Sequence, residues 1–219
     1  MSNVIRRFFS GLPFGVRLLA LGYLVLGAVA LTGVYTQTFD LYAWLGLSPA
    51  RVWRGEVWRL VTYGFLPAGI LDWVISGFWL ATLIAVLGRN WTARGFWGYC
   101  LLGIIAGAIP FVLLKREMEG GIATSAGMMF ALLVAWDWFY RRERLILLGV
   151  GEISVRQAAI LIAIIDSLIL FFWCGGWIVM PAMWCGGVAG WVWLTLRTKL
   201  FMGKTPQQIR SERVARLEL

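Results

Sequence analysis

The sequence has no histidine among its 219 residues. Histidine is the most usual general base in enzymes and the commonest metal ligand in proteins. Its absence argues against a catalytic site built on an imidazole and against most transition-metal sites. We therefore expect neither a metal nor another cofactor.

Cysteine and charged residues are also scarce. The three cysteines, Cys100, Cys174 and Cys185, form no C-x-x-C pair and no even-numbered framework, so they are interpreted as packing residues. Charged residues make up only 14% of the chain. A soluble domain usually carries about 25%, so this content is typical of a protein that lies mostly in a membrane.

Hydrophobic residues make up 60% of the chain, and 14 of the residues are tryptophan. Because aromatic side chains concentrate at membrane interfaces, both features indicate a polytopic membrane protein whose main partner is the lipid bilayer. The net charge of +9 is interpreted as cytoplasmic loop charge rather than as a nucleic-acid surface.

Six apolar segments predict an all-α membrane domain of six transmembrane helices. They cover residues 18–39, 73–88, 95–114, 120–137, 158–173 and 177–196. This count divides the chain into an interfacial segment (1–17), a membrane domain (18–198) with a long first loop (40–71), and a basic tail (199–219). Fifteen of the twenty Lys and Arg residues then fall on one side, which predicts that both termini are cytoplasmic. We expect a bacterial cytoplasmic membrane.

The fourth apolar segment carries a row of small residues. Ala123, Gly127, Ala131 and Ala135 recur every four residues, so a helix over this segment places them on one face. Such a face allows another helix backbone to approach closely. We expect it to pack on the sixth segment through Gly186 and Gly190.

Three motifs resemble the rhomboid family of intramembrane serine proteases. The fourth segment is similar to the family's G-x-S-G motif and the A-I-F-G-L-L-G-A-like run after it. The first loop is similar to G-x-x-W-R-L-x-T, and the sixth segment to H-x-x-G-x-x-x-G. The matching residues are Phe130, Leu132, Leu133 and Ala135, then Gly55, Trp58, Arg59, Leu60 and Thr62, then Gly186 and Gly190. The resemblance implies a rhomboid-like bundle of six helices.

The positions that carry hydrolysis in that family are changed. The serine position is Ala126 and the histidine position is Met183, whereas the oxyanion-supporting positions are Pro67, Asp72 and Ser76. A serine dyad cannot operate without its nucleophile and base. The resemblance therefore implies an inactive member that, like derlins, binds transmembrane segments of client proteins.

Two other functions stay open. Ser125 lies one residue before the family position, a rotation of about 100° on a helix, and with Lys115 as base it would give a protease with displaced residues. Asp72 immediately precedes the second apolar segment and Asp166 lies within the fifth, and acids at membrane depth are typical of small transporters. No inverted repeat accompanies them.

The changed positions also predict a binding cavity between the second, fourth and sixth segments. Ala126 and Met183 would form its apolar floor, and Asp72, Ser76 and Ser125 would supply polar groups. The alternative is that Met183 fills the volume of the lost imidazole. For Arg59 the alternatives are a structural role in the first loop and contact with a lipid headgroup.

Overall fold

The computed structural model describes residues 14–88, 91–141, 143–147, 151–173 and 180–198. Within these ranges the protein is mostly helical. The long helices are α1 (Phe14–Thr36), α5 (Ile70–Leu87), α6 (Ala93–Leu114), α7 (Ala126–Tyr140), α8 (Val155–Trp173) and α9 (Met180–Leu196). Most of the interfacial segment, residues 174–179 and the tail from 199 lie outside the described residues.

Three of these helices have the length and composition needed to cross a membrane: Gly15–Thr36 within α1, Ile70–Leu87 and Ala93–Leu114. The apolar helix α7 has only 15 residues. At 1.5 Å per residue it is about 22 Å long, shorter than a bilayer core of about 30 Å. The described residues thus support an integral membrane protein with three candidate spans, and the full six-span arrangement is taken up below as a proposal.

Helix α7 lies at the centre of the bundle, where it packs most extensively against α9 and α6. Gly127 on α7 meets Gly103 and Gly107 on α6 and Gly186 on α9. A Cβ atom added at Gly127 would lie 2.6 Å from the Gly103 carbonyl oxygen, so the backbones are in direct contact. This close approach requires glycine, because any side chain would separate the helices.

The start of α7 differs from the expectation. The helix begins at Ala126, whereas residues 120–125 are not helical, so Ala123 does not belong to the row of small residues. Ile122 instead pairs with Leu47 through two backbone hydrogen bonds of 2.8 and 2.9 Å. The sequence pattern could not separate the two conformations, because small residues suit both a helix face and an extended contact.

The first loop is built from short helical turns. They are α2 (Leu41–Leu45), α3 (Pro49–Trp53), α4 (Arg59–Thr62) and a 3₁₀ turn (Tyr63–Phe65). Asp40 caps α2 by accepting hydrogen bonds from the backbone N–H groups of Tyr42 and Ala43. The loop is joined to α7 by the Leu47–Ile122 bridge and by the Thr124 N–H, which donates to the Tyr63 carbonyl.

A short antiparallel hairpin corrects the all-α expectation. Strands β1 (Arg144–Leu147) and β2 (Gly151–Ser154) pair between α7 and α8, in the stretch between the fourth and fifth predicted segments. Arg144 and Glu152 form an exposed ion pair of 3.2 Å across it. The apolar run Leu145-Ile146-Leu147 followed by two nearby glycines was the available signal for this hairpin.

Candidate functional site

Polar side chains from four helices converge inside the bundle. Tyr23 comes from α1, Asp72 and Ser76 from α5, Ser125 from the residue that caps α7, and Asp166 from α8. All five are buried, with 4% exposure or less. We call these five residues the polar cluster. Asp72, Ser76 and Ser125 were expected from sequence as one polar site, Asp166 was named there only for the transporter alternative, and Tyr23 was not named.

Asp72 accepts two hydrogen bonds. The Ser76 hydroxyl donates to Oδ1 at 2.6 Å, and the Ala68 backbone N–H donates to Oδ2 at 2.8 Å. Asp72 also lies in the first turn of α5, where the helix dipole favours a negative charge. The pairing with Ser76 follows from their spacing, because residues four apart share a helix face.

Tyr23 is the member that sequence reasoning missed. Its hydroxyl lies close to the side chains of Ser76 and Ser125 and within electrostatic range of Asp72 and Asp166. None of the described residues, however, gives this fully buried hydroxyl a hydrogen bond of good geometry. A buried polar group without a partner costs free energy, so the hydroxyl is an available donor that points into the cluster.

Ser125 does not cap α7 with its side chain. The neighbouring Thr124 hydroxyl takes that role by accepting a hydrogen bond of 3.1 Å from the Ala126 N–H. The Ser125 hydroxyl is thereby left to face Tyr23. Lys115, the base considered for a displaced protease, is exposed immediately after the end of α6, and no described contact joins it to Ser125.

Asp166 lies within electrostatic range of Asp72. None of the salt bridges within the described residues involves either acid. The cluster therefore holds two carboxyl groups for which the described chain provides no cation. Within the same residues, no group of three or more His, Cys, Asp or Glu side chains could hold a metal ion.

Ala126 and Met183 are both buried among apolar side chains. Pro67 is buried as well, and its carbonyl accepts a hydrogen bond of 2.8 Å from the Tyr42 hydroxyl in the first loop. Burial, with smaller contributions from Asp72 and Asp40, raises the pKa of Tyr42 to about 12. Tyr42 thus remains a hydrogen-bond donor at physiological pH and holds the loop over the N-terminal end of α5.

Arg59 is a structural residue of the first loop. Its guanidinium donates to the Gly46 carbonyl at 2.7 Å, to the Ala43 carbonyl at 2.9 Å, and to Glu56 at 2.6 Å. The side chain is only 2% exposed, so it does not reach lipid headgroups. Its neighbour Trp58 is 52% exposed and projects from the loop, as an interface anchor does.

A surface pocket of about 370 Å³ is lined by residues 113–118 at the end of α6. It is open, Lys115 is the one residue singled out from sequence that lines it, and Arg116 in its lining stacks on Trp53 at 4.1 Å. The polar cluster, not this pocket, is the candidate site because its side chains come from four separate elements and are removed from water.

Comparison with known proteins identifies the protein family. Residues 17–199 match the family described as eukaryotic integral membrane protein (DUF1751). No curated protein and no solved structure matches the chain. The family description names eukaryotes, so the expectation of a bacterial cytoplasmic membrane has no support. The match covers most of the chain, and the protein therefore belongs to the DUF1751 family of integral membrane proteins.

Proposed function

We propose that the protein is a rhomboid-like membrane protein without protease activity that binds transmembrane segments of client proteins. Its membrane domain covers residues 18–198 with six spans and cytoplasmic termini. The observation that carries the proposal is the polar cluster, which brings Asp72, Ser76 and Ser125 together beside Ala126 in a bundle that otherwise buries apolar side chains. Polar groups inside a membrane domain are costly and mark functional sites.

The absence of protease chemistry follows from the surroundings of Ser125. Its neighbour Tyr23 is a phenol, which is a weak base, and Asp72 already accepts hydrogen bonds from Ser76 and Ala68. A serine hydroxyl without a base to take its proton is a poor nucleophile. Ala126 and Met183 offer no replacement.

Purified protein is expected to remain unlabelled by a fluorophosphonate probe and to leave transmembrane substrates uncleaved. The probe reports an activated serine, and Ser125 lacks the activating base. Gel fluorescence of the native protein beside Ser125→Ala checks this, with an active serine hydrolase as the positive control. Labelling that disappears in Ser125→Ala would restore the displaced-protease alternative.

The second alternative, transport by Asp72 and Asp166, gains one observation, because Asp166 lies within electrostatic range of Asp72. A proton path also needs further ionisable groups along the bundle. Within the described residues the buried carboxyl groups are these two, and the buried cation Arg59 serves the loop. Client binding is therefore the better-supported function.

Client binding is tested by site-specific photo-crosslinking in native membranes. A photoreactive side chain at Leu168, on the lipid-exposed face of α8, is expected to capture discrete membrane proteins. The matched control is Val188 on α9, which is equally apolar and exposed on another helix. A captured transmembrane segment, moved into an inert reporter, should confer crosslinking at position 168. Equal capture at both positions would contradict a specific client site.

A further inference from the structure

We propose that the protein binds the phosphate group of an anionic phospholipid at a basic patch where α6 begins and α9 ends. The patch consists of Arg197 with the indole rings of Trp91 and Trp193, and Arg94 adds a second positive charge in the first turn of α6. We call these four residues the arginine–tryptophan patch. Lipid binding at this patch does not involve the polar cluster, so the proposal goes beyond client binding.

Arg197 is held against two aromatic rings. The central carbon of its guanidinium, Cζ, lies 4.9 Å from the centroid of the Trp193 ring and 5.7 Å from that of Trp91. The two rings stack on each other with centroids 5.5 Å apart. Cation–π attraction therefore fixes the guanidinium in place. None of the salt bridges within the described residues involves Arg197 or Arg94, so the patch keeps its charge for an external anion.

The guanidinium of Arg197 lies beside the start of α6. A Cβ atom added at Gly95, the third residue of α6, would lie 3.9 Å from Arg197 Nη1. Thr92 caps the helix by accepting a hydrogen bond from the Gly95 N–H. The first turn contains no acidic residue, although it contains the exposed Arg94. Since a helix N-terminus is itself positive, three positive features meet here, and a bound anion would balance them.

The level of the patch in the membrane indicates which anion is at hand. Helix α6 is a candidate span, and the patch lies at its end rather than within it. Lipid phosphate groups lie at this level. Both arginines belong to the side that the charge distribution predicts to be cytoplasmic, where anionic lipids concentrate. Val192 and Leu196 expose apolar side chains on α9 just before Arg197, so they can contact the acyl chains.

The chemistry of the patch also fits a phosphate. A guanidinium presents a planar fork of N–H donors that matches two phosphate oxygens, and stacking on the indole rings orients this fork before the lipid arrives. A headgroup with a net negative charge, such as phosphatidylserine, should therefore bind more tightly than zwitterionic phosphatidylcholine.

The test is native mass spectrometry of the full-length protein in detergent, titrated with phosphatidylserine or phosphatidylcholine that carry identical acyl chains. Phosphatidylserine is expected to bind more tightly. Arg197→Gln should weaken its binding about fivefold, which is the contribution of one basic residue near an anionic membrane surface. Arg94→Gln should have a similar effect. Arg197→Lys keeps the charge but loses the fork, so it should recover only part of the affinity.

The matched control is Arg156→Gln. Arg156 is the second residue of α8, as Arg94 is of α6, and it is exposed on the same predicted side. It stacks on no aromatic ring within the described residues, so its removal should leave lipid binding unchanged. Thermal unfolding without added lipid verifies that each variant is folded. Arg94→Gln, which also lacks a ring contact in the described chain, keeps the test decisive if Arg197→Gln does not fold.

Three results would overturn the proposal. Equal affinities for the two lipids would show that the patch does not select an anionic headgroup. Equal weakening by Arg156→Gln and by the patch variants would show that the attraction is diffuse. Displacement of the lipid by an equal concentration of glycerophosphoserine, which has the headgroup without acyl chains, would show that the occupant is a soluble phosphate.

Discussion

Gly186→Ala is expected to destabilise the protein by about 3 kcal/mol, at the upper end of the range for overpacked cores. The added methyl group would collide with the Gly127 carbonyl oxygen and would lie 2.6 Å from the Gly127 Cα atom. Those are backbone atoms, which no rotamer change can move aside. The three helices α6, α7 and α9 all meet at this point, so separating one pair disturbs the other contacts of Gly127 as well.

The next residue supplies the control. A Cβ added at Gly187 would lie 3.7 Å from Phe130 Cβ, an ordinary van der Waals contact. Gly187→Ala should therefore be neutral or slightly stabilising, since alanine favours a helix by up to about 1 kcal/mol over glycine. Thermal unfolding in detergent, followed by fluorescence size-exclusion, compares the two variants. Equal melting temperatures would show that α7 and α9 do not cross at Gly186.

The contact between Gly127 and Gly186 shows what the sequence could predict. Small residues at a spacing of four mark a face for close packing, and the glycines Gly186 and Gly190 marked the sixth segment as its partner. The same rule placed Ala123 on the helix, although the helix begins three residues later. A rule based on side-chain size gives no information on where an extended backbone ends and a helix begins. Here the hydrogen-bonded bridge between Ile122 and Leu47 keeps the backbone before α7 extended.

The polar cluster shows where prediction from one sequence stops. Ser76 could be placed with Asp72 because both lie on one helix, four residues apart. Tyr23 and Asp166 join them from helices distant in the chain, and no spacing rule relates those helices. Tyr23 also appeared as one more aromatic residue in an apolar span, where the usual interpretation is packing. The available signal was its position well inside the span, away from the interface where a tyrosine hydroxyl normally finds water.

Arg59→Met is expected to destabilise the protein by about 3 kcal/mol, the lower end of the range for breaking a buried ion pair. Methionine preserves much of the apolar stem but removes every donor. The carbonyl groups of Ala43 and Gly46 would then lose their partner, and Glu56 would lose its counter-charge. Since Glu56 is itself partly exposed, water can compensate part of its loss, which is why the lower end applies.

Arg59→Lys separates charge from geometry. A lysine keeps the positive charge, but its single ammonium cannot reproduce the planar fork that joins two carbonyls and a carboxylate. We expect Arg59→Lys to recover less than half of the stability that Arg59→Met loses. Arg54→Met is the matched control, because Arg54 pairs with Glu119 at 3.0 Å while 67% exposed, and such surface pairs contribute about 0–1 kcal/mol. If Arg59→Met melted at the same temperature as Arg54→Met, Arg59 would not hold the first loop together. Another contact would then have to hold the neighbouring, exposed Trp58 in place.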